Sequence, residues 1–218
     1  MNPADFLPFW DQLTAAQQTQ LENAGEPMAV KQGTVVHDGS LDCLGLLLIE
    51  SGLLRVYALS EDGREVTLYR LSDRDVCLFS ASCIMPGIQF EVIVEAERDT
   101  RLLVIPACLF KELMEQSAPV ANYANRLMSS RFSEVMWLME QIMWKSFDRR
   151  LAGFLLEQSR LDGSCRLKIT HERIANHLGT AREVVTRMLR YFQAEGMVRL
   201  SRGEIEIIQK DALKKLSE

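Results

Sequence analysis

The sharpest alternation of apolar and polar positions lies in the C-terminal third of the chain. Ile174, Ala175 and Leu178 form one apolar stripe at helical spacing, preceded by Thr170, whose hydroxyl suits a helix start, and Glu172, which suits a first turn. Gly179 ends that helix. Thr180-Ala181-Arg182-Glu183 then fits a capping box, in which a hydroxyl and a carboxylate satisfy backbone N–H groups left unpaired at a helix start. The second helix it opens has Val184, Val185, Met188, Leu189 and Phe192 on its inner face. Arg182, Glu183, Thr186, Arg187 and Arg190 fall together on the opposite face, and Gly196 supplies the stop. Met197 to Leu200 and Ile205 to Ile208 predict two short strands around the turn Ser201-Arg202-Gly203-Glu204. Two helices joined at a glycine turn and followed by a hairpin describe a winged helix-turn-helix.

Upstream, from about residue 28 to 106, short β-rich runs alternate with Gly or Asp turns such as Ser51-Gly52-Leu53 and Glu61-Asp62-Gly63-Arg64. Such regular turn spacing predicts a sandwich or barrel. Residues 5–24 read as a short leading helix. Ser117 and Pro119 open a long helix running to about Trp144, with Pro in the first turn, where its missing N–H costs little. Along it, Ala121, Ala124, Met128, Val135, Leu138 and Ile142 form a heptad-like seam that Arg131 interrupts. That pattern fits a helix packed against a copy of itself, and equally one packed on its own domain. Ser146 is placed to cap a following helix, Phe147 to Gln158.

With 218 residues and 47% hydrophobic content, the chain can bury a real core, and its pattern favours two small domains over one. The N-terminus does not resemble a signal peptide, and the run Leu44 to Ile49 is too short to span a bilayer. The expectation is a cytoplasmic protein with no membrane partner. Cys43, Cys77, Cys83, Cys108 and Cys165 are odd in number, scattered and free of any C-x-x-C pair. They signal neither a disulfide framework nor a zinc site, and no metal ligands are assigned.

The net charge of −5 would disfavour a nucleic-acid partner if it were evenly spread. It is not. Residues 166–202 hold eight Lys or Arg against three acids, a local +5, which leaves 17 bases and 27 acids, or −10, elsewhere. On the polar face of the second helix, an Arg can grip guanine O6 and N7 with two hydrogen bonds, a Glu can accept from cytosine N4, and a Thr can meet a base edge or methyl. The further arginines suit phosphates. As a bare helix pair, the same fold also serves protein binding without DNA.

At these residues the chain closely resembles the Crp/Fnr superfamily, the regulators named for the cyclic-AMP receptor protein and the fumarate-nitrate regulator. The family's recognition motif, Arg-Glu, two residues, a small residue and Arg, stands here as Arg182-Glu183-Val184-Val185-Thr186-Arg187. Ile169-Thr170 ahead of the first helix and the Glu195-Gly196-Met197-Val198 entry to the wing also follow the family pattern. The resemblance implies an α+β chain with an N-terminal jelly-roll effector domain at 1–116, a dimerisation helix and hinge at 117–145, and a winged helix-turn-helix at 146–218. It implies a transcription regulator, not an enzyme, that binds a palindromic operator in double-stranded DNA as a homodimer and works with RNA polymerase. Arg182, Glu183 and Arg187 would read bases with Thr186 beside them. Thr170, Thr180, Arg190 and Arg202 would complete the DNA surface.

The cofactor or effector is left unassigned. The family's cyclic-nucleotide branch holds its phosphate with an Arg-Ser or Arg-Thr pair, because a buried cyclic phosphate needs a bidentate cation and hydroxyl or N–H donors. Counted back from Ala96, Phe90-Glu91 stands in that place, and a carboxylate there would repel a phosphate. No cysteine precedes Cys43, so the N-terminal cluster of the iron-sulfur branch is missing as well. Cys77 and Cys83 occupy the place of the absent cassette and are candidate redox thiols, against the plainer reading of buried core thiols. A haem or small-molecule signal is the other alternative within the family. A cupin-like enzyme would need clustered His and carboxylate ligands, and His37 is the sole histidine before residue 171.

Overall fold

A computed structural model describes residues 2–38, 44–78 and 92–218. The chain forms two compact units, one of Met1–Ala58 and Leu68–Val135 and the other of Leu59–Thr67 and Met136–Glu218.

The first unit begins with 3-10 turns at Pro3–Asp5 and Trp10–Gln12, then helix α1 (Ala15–Ala24). Among the described residues eight strands follow: β1 (Glu26–Val30), β2 (Val35–His37), β3 (Leu46–Ser51), β4 (Leu54–Leu59), β5 (Glu65–Leu71), β6 (Val76–Cys77), β7 (Ile93–Ala96) and β8 (Thr100–Ile105). Among the described residues they form two four-stranded sheets, ordered β1-β8-β3-β6 and β2-β7-β4-β5. Pairing is antiparallel, with Leu48 opposite Leu103 and Val56 opposite Val94. Two sheets that share a buried core are the architecture expected of a jelly roll.

That core holds Leu47, Ile49, Leu54, Val56, Tyr69, Leu71, Cys77, Val94 and Leu102. The alternation of Leu54 and Val56 with Arg55 and Tyr57 sends the second pair to the other face of its sheet. Arg55 is nevertheless fully buried; its guanidinium lies 4.2 Å from the Tyr57 ring centre and 3.7 Å from Glu95. Gly52 makes the tight β3–β4 turn at φ +121°, where any Cβ would collide with Thr100.

Helix α2 (Ala107–Gln116) leads into the long α3 (Ala118–Trp144). Val120, Tyr123 and Ala124 of α3 are buried with Phe9, Leu21, Leu46, Leu103 and Phe110 in a second cluster of this unit, and Met128 packs against both clusters. Arg131 stacks over Tyr69 at 4.7 Å and is paired with Glu134 at 2.8 Å. Burial pushes the Tyr69 phenol well above its ordinary pKa.

In the second unit, α4 (Phe147–Asp162), β9 (Arg166–Leu167), α5 (His171–Leu178), α6 (Arg182–Ala194), β10 (Val198–Ser201), β11 (Glu204–Ile207) and α7 (Lys210–Ser217) surround one core. It contains Leu151, Leu155, Ile174, Val185, Leu189, Phe192, Ile205 and Leu213. Lys145 donates from Nζ to the Ser217 carbonyl at 2.6 Å, anchoring α7. The Leu59–Thr67 segment contributes Val66, bridged to Leu178, and Thr67, whose Oγ1 is 2.7 Å from His177 Nδ1.

Several local expectations are corrected. Residues 5–24 are not one helix: α1 starts at Ala15, where Thr14 and Gln17 form a reciprocal capping box. The box expected at Thr180 and Glu183 does not form, and Ala181 occupies the N-cap of α6. The reason is geometric. Gly179 closes α5 in the left-handed region at φ +64°, and the Thr180 N–H donates to the Ala175 carbonyl, so Thr180 belongs to the end of α5. Ser146 sits at the N-cap of α4 without a side-chain cap bond, and α4 runs on to Asp162. The wing sheet has a third strand, β9, beside β11. Helices α2 and α7 lacked an expectation.

Candidate nucleic-acid interface

Thr170 accepts a hydrogen bond from the Arg173 N–H at 3.1 Å and so fixes the start of α5. Ile174 and Ala175 of α5 and Val185, Leu189 and Phe192 of α6 are buried, which locks the two helices into one core. The opposite face of α6 is left to solvent. Arg182, Glu183, Arg187 and Arg190 are exposed, and Thr186 is half-buried among them. All five sequence-predicted residues of this helix therefore share one accessible face.

The wing carries further arginines. Its turn carries Arg202, which is exposed. Arg199 and Arg166 are spent differently: both bind Glu206, at 2.9 and 3.3 Å, and brace the sheet from opposite sides of β11. Arg182, Arg187, Arg190 and Arg202 have no ion-pair partner among the described residues. Exposed guanidiniums without carboxylate partners give these elements local positive charge. Thr170 and Thr180 lie at the exposed and half-buried ends of α5.

Sequence reasoning overlooked His171. As the first residue of α5 it places Nδ1 2.9 Å from Thr186 Oγ1, which in turn donates to the Arg182 carbonyl at 2.9 Å. Partial burial, then the charges of Arg182 and Arg190, hold the imidazole below its ordinary pKa. Its position directly after the capping Thr170 was the available signal.

The other predicted residues are placed as follows. Cys77 is fully buried in β6 opposite Leu47, while Cys83 lies outside the described residues, as do Phe90 and Glu91. His37 is buried in β2. Of the helix seam, Ala124 is buried, Ala121, Met128, Val135 and Leu138 are half-buried, and Ile142 is exposed. Besides Ile142, the exposed large apolar side chains of α3 are Phe132, Met136, Met139 and Met143, at 67, 40, 47 and 62% exposure, with Trp137 and Trp144 beside them. No cluster of metal-ligating side chains occurs among the described residues, and no described helix is long and apolar enough to cross a membrane.

A double-sheet N-terminal domain, a long helix and a winged helix-turn-helix with a cationic face define a DNA-binding transcription regulator with a sensory domain. Comparison with known proteins narrows the class. Residues 149–216 match the Crp-like helix-turn-helix domain and residues 29–117 the cyclic nucleotide-binding domain. A solved structure of a Crp/Fnr-family transcriptional regulator from Eubacterium rectale is 58% identical, with a TM-score of 0.96, covering 98% of this chain and 99% of that one. The regulatory protein HlyX of Actinobacillus pleuropneumoniae is 26% identical over 95% of this chain and 88% of its own length. The fumarate and nitrate reduction regulatory protein of Escherichia coli is 27% identical over 97% and 86%. The chain belongs to the Crp/Fnr family. Its relatives are regulators of transcription, not enzymes.

Proposed function

We propose that the chain binds an inverted-repeat operator as a homodimer, with Arg182, Glu183, Thr186 and Arg187 reading base edges. Arg190, Arg202, Thr170 and Thr180 hold the phosphate backbone. The observation that carries this reading is the exposed face of α6, whose arginines have no ion-pair partner among the described residues. Residues 1–116 are assigned to signal sensing, 117–145 to dimerisation and the hinge, and 146–218 to DNA. The setting is the cytoplasm, with RNA polymerase as the further partner.

A second copy of the chain is the partner for α3. Phe132, Met136, Met139 and Met143 follow one another at spacings of 4, 3 and 4, the rhythm of a coiled-coil seam, and all are exposed. This seam lies one position away from that expected at Val135, Leu138 and Ile142. A two-fold dimer sets two recognition helices about one turn of DNA apart, so half-sites repeat at roughly 10 bp.

Cyclic AMP and cyclic GMP are not the proposed signals, because Phe90-Glu91 replaces the phosphate-binding pair. Selection of binding sites from random DNA tests the reading. The expected product is an inverted repeat, and Arg182→Ala and Arg187→Ala each cost about 1–3 kcal/mol at one G·C position. Selected sites without two-fold symmetry, or unchanged preference in both variants, would overturn it.

A further inference from the structure

The hydroxyl of Thr186 stands between two partners, the Arg182 carbonyl and His171 Nδ1, each 2.9 Å away. A carbonyl oxygen brings no proton, so the hydrogen bond to Arg182 consumes the single proton of the Thr186 hydroxyl. His171 must then be the donor, from Nδ1–H. We propose that His171 is a positioning residue that fixes Thr186 as an acceptor-only reader of DNA, and thereby sets the base pair that Thr186 recognises. This rests on the reading of α6 as the recognition helix.

With its proton and one lone pair engaged inside the protein, Thr186 has one lone pair and its methyl left for DNA. Those suit an amino donor, cytosine N4 or adenine N6, or the thymine methyl. They do not suit guanine O6 and N7 or thymine O4, each of which needs a donor. Without His171, Oγ1 is held by the Arg182 carbonyl alone, and a turn of the hydroxyl away from that carbonyl would let Thr186 serve both kinds of edge. The imidazole thus removes an ambiguity that the side chain alone would leave.

The charge on the same imidazole makes DNA affinity sensitive to pH. In the neutral ring Nδ1 carries the proton and Nε2 carries none, and no protein group is bonded to Nε2 among the described residues. The charged groups around the ring are Arg182 and Arg190 of α6, with Glu172 and Arg173 following it on α5. Partial burial, and then the two arginines, favour the neutral ring in the free protein. Phosphates brought in by DNA oppose the arginines and favour the imidazolium, so binding takes up a proton and tightens as pH falls. The Nδ1 donor, and with it the reading by Thr186, persists in both forms.

The test compares operator libraries randomised one base pair at a time, for the wild type, His171→Leu, His171→Asn and Thr186→Val, between pH 5.5 and 8. His171→Leu and Thr186→Val are expected to relax the same single position about tenfold and to leave the positions governed by Arg182 and Arg187 unchanged. His171→Asn keeps a donor that does not titrate; it retains the preference while the pH slope disappears. If His171→Leu proves unfolded by circular dichroism, His171→Asn and Thr186→Val carry the comparison alone. A slope that survives in His171→Asn, or an unchanged preference in a folded His171→Leu, would overturn the inference while leaving the recognition helix intact. Absence of sequence preference in the wild type would overturn both.

Discussion

The side-chain carbonyl of Gln193, at the end of α6, accepts a hydrogen bond from the backbone N–H of Leu200 in β10 at 3.1 Å. This bond ties the recognition helix to the wing across the turn at Gly196. An exposed hydrogen bond of this kind is worth about 0.5–1.5 kcal/mol. Gln193→Ala is therefore expected to lower stability by about 1 kcal/mol or less in a urea titration. In operator titrations it should weaken binding without altering base preference, because the side chains assigned to base reading are untouched. A change of preferred sequence would show that Gln193 itself meets the bases.

Arg190 and Arg202 are assigned to phosphates, which carry charge but no sequence. Each phosphate contact releases a counterion, so the slope of log affinity against log salt should fall by about 0.9 for each arginine removed. Arg190→Ala and Arg202→Ala should weaken specific and random DNA alike. Arg199→Ala is the control. Its guanidinium is engaged with Glu206, and it should leave the slope nearly unchanged while loosening the wing sheet. Equal slopes for wild type and Arg202→Ala would remove the wing tip from the interface.

The apolar residues of α3 give a separate prediction. Met136 and Met139 are exposed in the single chain, so a charge at either costs the monomer little, whereas two such charges across a two-fold seam would be buried together. Met139→Glu is expected to shift sedimentation from dimer to monomer and to reduce operator affinity at least tenfold, with the circular dichroism spectrum retained. Ala124→Glu should behave differently. Ala124 is buried in the core of the first unit, and the variant should unfold that unit.

The contrast between Ala124 and Met139 shows what the sequence could convey. Both lie at apolar positions along α3, and periodicity records that a position is apolar without recording what covers it. The winged helix-turn-helix was legible because its two helices bury one clean stripe each, Ile174 with Ala175 and Val185 with Leu189 and Phe192, and expose another. The false capping box at Thr180 arose because one threonine can close α5 or open α6, and the three-residue turn settles the choice. His171 escaped notice because its role depends on a contact fifteen residues away in the sequence, across two helices. Helix α7 was missed although Leu213 and Leu216 repeat at helical spacing, since a short polar tail gives few apolar positions to count.

Cys77 bears on the unassigned signal. It lies in β6, opposite Leu47, inside the core shared by both sheets, and is fully buried. Thiol chemistry needs the thiolate and an approaching oxidant, and both are disfavoured where water does not reach. In the native protein Cys77 is therefore expected to resist a water-soluble disulfide reagent, while the exposed Cys108 and Cys165 react within minutes. Peptide mass mapping assigns each label, and added urea should bring Cys77 into reach as the sheets open. Cys77→Ser should leave operator affinity equal under dithiothreitol and mild peroxide, at a cost in stability from placing a hydroxyl in an apolar core. Rapid native labelling of Cys77, coupled to a change of operator affinity under peroxide that Cys77→Ser abolishes, would instead make this thiol the sensor.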